Sequence, residues 1–239
     1  MNQPIRFSPS KERLRANYFG VVERVRTAAS KSSRNLSEIK VIGVTKYVDV
    51  NIARWLVEMG CDSLGESKPQ SLWDKQLALS DLPIDWHLIG HLQRNKVKKT
   101  IPLVSAVHSL DSQRLLAQVL KDTSDREIPL KLLLEINVSN DREKTGMVLS
   151  EAESLLSAWQ ENSKLFPMVS IVGLMGMGSV EGGVDKARKD FERLRNLRDD
   201  WEMRFGMQLR ELSMGMSDDF QAAIEEGATM VRIGSVLFQ

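Results

Sequence analysis

The sequence predicts an α/β protein: a single (β/α)8 TIM-type barrel over residues 1–239, with an extra N-terminal helix. Three observations carry the prediction. Strand-like runs occur eight times, separated by longer helical stretches. The runs are mostly apolar on both faces, as parallel strands covered by helices require. The 239-residue length suits one barrel domain and is short for two enzyme domains.

The elements follow in order. Residues 10–33 form a helix, since Leu14, Tyr18, Val21, Val22 and Val25 fall on one helical face, and Ser8-Pro9 supplies a start. Residues 40–45 are the first strand. Asp49 opens a helix through Glu58 that Gly60 stops. Ser63-Leu64 is a short strand before a helix over 69–79. Residues 85–89 are the third strand and 93–100 a helix. Residues 104–109 are the fourth strand, and Asp111 caps a helix through Lys121. Residues 130–138 are a long fifth strand, and Ser150-Glu-Ala-Glu153 has the spacing of a capping box. Residues 168–174, 209–213 and 229–233 are the last strands, with helices over 184–205 and 218–226 between them. Little room follows the eighth strand for a closing helix, so the N-terminal helix is expected to cover that gap.

Composition narrows the function classes. Hydrophobic residues make up 42% and charged residues 27%, ordinary for a globular protein, and the net charge is +1. That balance suggests neither a nucleic-acid nor a membrane partner. The one cysteine, Cys61, permits no intrachain disulfide and reads as a buried core thiol. The N-terminus lacks the pattern of a signal peptide, and no apolar run has the length of a membrane span. A cytoplasmic location is expected.

In a barrel of this kind, chemistry lies at the C-terminal ends of the strands. The first strand ends in Thr45-Lys46-Tyr47. A lysine there is either a surface residue beginning a loop or a Schiff-base amine, made nucleophilic by desolvation. The seventh strand runs into Ser213-Met-Gly215-Met-Ser-Asp218, and the eighth into Arg232-Ile-Gly234-Ser235. Glycines, hydroxyls and free N–H groups at these two strands suit a phosphate, though tight capped turns would look the same. An amine opposite a phosphate site suits a phosphorylated aldehyde, and pyridoxal 5′-phosphate (PLP) is the obvious cofactor.

The motifs Thr45-Lys46, Gly65-Glu66, Trp86 to Lys96, Gly173-Leu-Met175, Leu212 to Asp219 and Gly227 to Ser235 resemble those of the PLP homeostasis proteins, the YggS/PROSC-like family. The likeness runs from about residue 10 to the end. It implies an alanine-racemase N-terminal-domain-like barrel in the cytoplasm, with PLP held as an internal aldimine on Lys46. By motif match, Ser213, Gly215, Gly234 and Ser235 would hold the phosphate and Arg232 would face the pyridine nitrogen. Ser67 stands where the family often has Asn-Tyr after Gly65-Glu66, and the chain stops at Phe238-Gln239 where relatives usually continue. Ser67 and His87 complete the expected cofactor set; His87 is equally readable as a packed, hydrogen-bonded histidine.

An arginine facing the ring nitrogen disfavours its protonation and weakens the cofactor as an electron sink. Racemisation also needs a second acid/base, and the only tyrosines are Tyr18 and Tyr47. The expected role is therefore a PLP carrier acting in vitamin B6 and amino-acid homeostasis, without robust turnover. A PLP-dependent racemase and a PLP-responsive regulatory module are the alternatives. Amino acids or PLP-dependent enzymes as recipients are the expected partners, and the protein is expected to be a monomer. His87, His91 and His108 do not have metal-ligand spacing, so no metal is expected. Gln93 to Lys99 reads as a solvated basic helix face, Met175 to Ser179 as a flexible mouth loop, and Lys144-Thr-Gly146 as a further part of the mouth.

Overall fold

In the computed structural model, residues 7–123, 126, 128–138, 145–179 and 181–239 are described. The parallel strands β1 (Lys40–Val44), β2 (Ser63–Glu66), β3 (Asp85–Leu88), β4 (Ala106–Leu110), β5 (Leu130–Glu135), β6 (Val169–Met175), β7 (Glu211–Ser213) and β8 (Met230–Ile233) follow chain order around a closed barrel. Pairing of β1 with β8 closes it, Ile42 standing beside Arg232. The predicted fold class is the observed one.

Side-chain alternation sorts each strand between the barrel interior and the helix layer. A Cβ at Gly43 would meet Leu56 at 2.7 Å and Cys61 at 3.0 Å, so position 43 faces the helices. Lys40, Ile42 and Val44 therefore face inward. A Cβ at Gly65 would meet Ile42 at 2.9 Å, which places position 65 inside. Register carries the same face to His87, its neighbour on β3, while Glu66 turns outward.

The helices are α1 (Lys11–Lys31), α2 (Val50–Glu58), α3 (Pro69–Ala78), α4 (Val97–Thr100), α5 (Gln113–Asp122), α6 (Leu149–Asn162), α7 (Gly183–Phe205), α8 (Phe220–Glu225) and α9 (Ser235–Phe238). α1 buries Leu14, Tyr18, Val21 and Val25, and Ser10 caps it by accepting from the Arg13 N–H at 3.2 Å. It packs on α8 and α9, covering the gap as expected. Asn17 Nδ2 donates to the carbonyls of Leu237 at 3.0 Å and Gln239 at 2.7 Å, satisfying groups that the four-residue α9 leaves open.

Several local expectations fail. The α5 cap is Ser112, which accepts from the Leu115 N–H at 3.2 Å; Asp111 is engaged by His91 at 2.9 Å. No capping box forms at Ser150 and Glu153, because α6 already begins at Leu149. Glu153 is drawn to α7, accepting from Trp201 Nε1 at 3.2 Å and Arg204 Nη1 at 2.7 Å. β5 stops at Glu135, beyond which Ile136 bridges to Met147. Only Val97–Thr100 of the 93–100 stretch is α-helical, preceded by a 3-10 turn at Arg94–Lys96. Asp218 and Asp219 stay outside α8, because Asp219 Oδ1 accepts from the Met216 N–H at 2.6 Å and holds a turn there. Cys61 is buried as expected, and burial pushes its thiol up to about 12.

Candidate functional site

A cavity of about 350 Å³ opens at the C-terminal ends of β1 and β8. That is within the usual range for a small-molecule site, about 300–1,000 Å³. Its polar lining comes from three strand ends: Lys46 and Tyr47 after β1, Ser217 and Asp218 after β7, and Arg232, Gly234 and Ser235 at β8. Phe7, Val44, Ile89, Met216 and Phe238 supply the apolar wall.

Lys46 is half-buried, and its Nζ lies 5.0 Å from the centre of the Tyr47 ring. Arg232 is 5% exposed and firmly held. Its Nη1 donates to the carbonyl and hydroxyl oxygens of Ser213 at 2.6 and 2.7 Å, and its Nη2 to the Gly176 carbonyl at 3.1 Å. Burial pulls the guanidinium down to about 10, against the opposing pull of Asp219 and Glu135. The backbone N–H groups of Gly234 and Val236 converge on Ser217 Oγ, each at 3.3 Å.

The eight residues singled out from the sequence divide evenly. Lys46, Arg232, Gly234 and Ser235 line the cavity; Ser67, His87, Ser213 and Gly215 do not. Ser213 points into the barrel, where its hydroxyl meets Arg232 and His108. Gly215 supports the loop: its φ is +89°, and a Cβ there would meet Ala223 at 2.5 Å. Ser67 sits beside Gly90, where a Cβ would meet the Ser67 carbonyl at 2.3 Å. His87 is buried between Asp85, 3.1 Å from its Nε2, and His108, 2.9 Å from its Nδ1.

Sequence reasoning passed over Ser217, which holds a cavity-lining position that Ser213 does not. The available signal was position: Ser213 is the last residue of β7, whereas Ser217 lies beyond the Gly215 turn. It also missed a buried cluster behind Lys46. Lys75 Nζ donates to Glu66 Oε1 at 2.6 Å and to the Thr45 carbonyl at 2.5 Å, and Thr45 Oγ1 donates to Glu66 Oε1 at 2.8 Å. The 175–179 loop is tied down, with the Ser179 N–H and hydroxyl both donating to Asp190, at 2.8 and 2.6 Å. Near the mouth, Thr145 donates to the buried Glu135; Lys144 lies outside the described residues.

The donor set suits one kind of ligand. A primary amine, a guanidinium, the hydroxyls of Ser217 and Ser235 and the Gly234 backbone line a small, largely apolar space. They match an aldehyde, an acceptor on an aromatic ring and an anionic phosphate. The carboxylate of Asp218 is the one adverse lining group, and it is exposed enough to stay in water.

Fold and site define a cofactor-type barrel of the alanine racemase class, and the family model for the alanine racemase N-terminal domain matches residues 21–239. Within that class the chain belongs to the pyridoxal phosphate homeostasis protein family. It is 37% identical to the protein of that name from Aquifex aeolicus, over 91% of this chain and 94% of the relative. It is 34% identical to the one from Pseudomonas aeruginosa, over 93% of each. Among solved structures it is similar to PipY of Synechococcus elongatus with PLP bound, with a TM-score of 0.78 and 29% identity over 92% of this chain and 100% of that one.

Proposed function

We propose that this chain binds PLP covalently through Lys46 and serves as a PLP carrier in vitamin B6 and amino-acid homeostasis, residues 1–239 acting as one cofactor-binding unit. The observation that carries this reading is the meeting of Lys46, Arg232, Ser217, Gly234 and Ser235 around one cavity of about 350 Å³. In the proposed complex Lys46 would hold the aldehyde carbon through its amine nitrogen, as a C=N bond made with loss of the aldehyde oxygen as water. The Ser217 and Ser235 hydroxyls would donate to phosphate oxygens, with Gly234, whose N–H reaches Ser217 Oγ, and Gly215 shaping the loops. Arg232 donates to the ring nitrogen. PLP supplies a reversible amine-reactive carbonyl; the protein shields it from other amines. Membership of the family and the PLP-bound relative support the same assignment. In this reading Ser67, His87 and Ser213 act from behind the cavity wall, not through direct contact.

A carrier without robust turnover is favoured by the acid/base inventory. Tyr18 is buried in α1, where burial raises its hydroxyl to about 12. Tyr47 lines the cavity, but as the chain neighbour of Lys46. Among the described residues, Tyr47 and the exposed carboxylate of Asp218 are the acid/base groups beside Lys46 that the cavity offers a racemase. A cytoplasmic monomer that hands PLP to other enzymes completes the proposal. Among the described residues, no helix is long and apolar enough to cross a membrane.

The test is a visible-absorption titration of the protein and of Lys46→Ala with PLP, followed by borohydride reduction and peptide mapping. The expected outcome is a Lys46-dependent band with the adduct on the Lys46 peptide. Absence of any lysine-dependent band would remove the cofactor assignment. Steady amino-acid turnover abolished in Lys46→Ala would replace the carrier by an enzyme.

A further inference from the structure

A chain of hydrogen bonds runs down the barrel from the floor of the cavity. Arg232 Nη1 lies 2.7 Å from Ser213 Oγ, which lies 2.8 Å from His108 Nδ1. His108 Nε2 lies 2.9 Å from His87 Nδ1, and His87 Nε2 lies 3.1 Å from Asp85 Oδ2. Ser213, His108 and His87 are completely or almost completely buried. The far end is wetter: the Asp85 side chain is 30% exposed and is paired with Lys40 at 2.5 Å. Asp85 and Lys40 begin β3 and β1, so this end is the N-terminal mouth of the barrel, opposite the cavity.

The two ends fix the direction. A guanidinium only donates, and a carboxylate only accepts. Neutral imidazole donates from one nitrogen and accepts at the other. Starting at Asp85, His87 donates from Nε2 and so accepts at Nδ1. His108 then donates from Nε2 and accepts at Nδ1. Ser213 donates its proton to His108 and offers its lone pairs to Arg232. Every atom is satisfied, and every donor points from Arg232 toward Asp85. The opposite direction would require a doubly protonated His87, and Ser213 Oγ, accepting from both neighbours, would leave its own proton without an acceptor in the chain. Burial above all, with the positive charge of Arg232 adding to it, holds His108 well below the ordinary histidine range, which favours the neutral ring.

We propose that Asp85, His87, His108 and Ser213 are positioning residues for Arg232, forming a one-directional chain that fixes its guanidinium as a donor at the cavity floor. The chain pins Nη1 on Ser213 while the Gly176 carbonyl holds Nη2, so the guanidinium plane cannot turn away. Whatever occupies the cavity must then bring an acceptor to Arg232, which selects an unprotonated ring nitrogen over a protonated one. The direction of the chain stands without any ligand. The selection of a ring nitrogen rests on the PLP reading.

The test has two arms. In the protein without ligand, ¹⁵N NMR of the imidazoles reports which nitrogen carries the proton. The expected result is a single proton, on Nε2, for both His87 and His108 at neutral pH. A proton on His108 Nδ1, or a doubly protonated ring at either residue, would overturn the chain whatever the fate of the cofactor reading. The second arm measures PLP affinity and the visible band in His108→Gln, His108→Leu and Ser213→Ala. Glutamine keeps one acceptor and one donor and should stay within about threefold of the parent, with the same band. Leucine keeps neither and should lose about tenfold in affinity and shift the band. Ser213→Ala removes a single oxygen and should behave as leucine does, so the arm survives if His108→Leu fails to fold. Parent-like affinity and band in Ser213→Ala, or in a folded His108→Leu, would refute the positioning role. A parent protein with no band at all would sink the cofactor reading and leave the NMR arm to judge the chain.

Discussion

Two buried polar groups of residues flank the cavity, one inside the barrel and one outside it, and they handle charge differently. Inside, the cation of Arg232 and the anion of Asp85 sit at opposite ends of three neutral side chains. Outside, between β2 and α3, Lys75 and Glu66 touch at 2.6 Å, with side chains only 9% and 0% exposed. The inner arrangement is in series, so each member depends on the next. The outer is a clamp around one oxygen, Glu66 Oε1, while Glu66 Oε2 is buried with no partner among the described residues. The inner chain sets the direction of a donor in the cavity. The clamp grips the Thr45 carbonyl and so fixes the backbone just before Lys46. Direct charge contact gives strength where position matters; neutral links carry direction across the barrel.

The sharpest way to break this contrast is Lys75→Met. It leaves Glu66 buried without its cation, at a cost of about 3–5 kcal/mol. Urea unfolding at neutral pH checks the figure. Adding Glu66→Leu should recover most of the loss, because a buried pair replaced by apolar side chains is often neutral. A double variant no more stable than Lys75→Met would show that the clamp works by shape and not by charge.

Asp85→Asn tests the other end. Burial alone would raise this carboxyl, but hydrogen bonds from His87, Lys40 and Ser105 outweigh it and hold Asp85 well below the usual carboxylate range. A depressed folded value means stabilisation that is complete above the unfolded value, about 3.9, and lost as pH falls below it. The variant should be less stable at neutral pH by about 1–2 kcal/mol, a figure reduced for the partial exposure of the site. Its stability should also fall less steeply than the parent's on acidification below about pH 4. Equal acid limbs in both proteins would mean that Asp85 is not the charged end of the chain.

Inner and outer groups also differ in how far the sequence announces them. The barrel is legible because apolar runs and amphipathic stretches alternate over the whole chain. The place of Lys46 and Arg232 at the cavity is legible because strand ends line the mouth of this fold. The inner chain is half-legible: Asp85 and His87 are two apart, which puts both on one face of β3. Nothing local says that β4 and β7 bring His108 and Ser213 to meet them, since that depends on strand register around the barrel. Ser213 was therefore expected at the phosphate and is found behind Arg232. The clamp is less legible still. Lys75 lies mid-helix in α3, nine residues beyond Glu66, and reads as an ordinary surface lysine until α3 is laid on β2. The misplaced caps at Asp111 and Ser150 have a similar origin, because neighbours in space, His91 and Arg204, claim Asp111 and Glu153.

The smallest effect separates series from clamp most cleanly. Thr45→Val keeps the shape of the side chain and removes one donor to Glu66 Oε1. Lys75 still holds that oxygen, so the loss should be only about 0.5–1.5 kcal/mol. In the Lys75→Met background, Thr45 Oγ1 is the donor that remains to Glu66. There the same substitution should cost more, and the excess, about 0.5–3 kcal/mol, is the coupling between the two donors. A double-mutant cycle in urea measures it directly. Zero coupling would mean that Thr45 and Lys75 serve Glu66 independently, and the cluster would then be two separate contacts instead of one clamp.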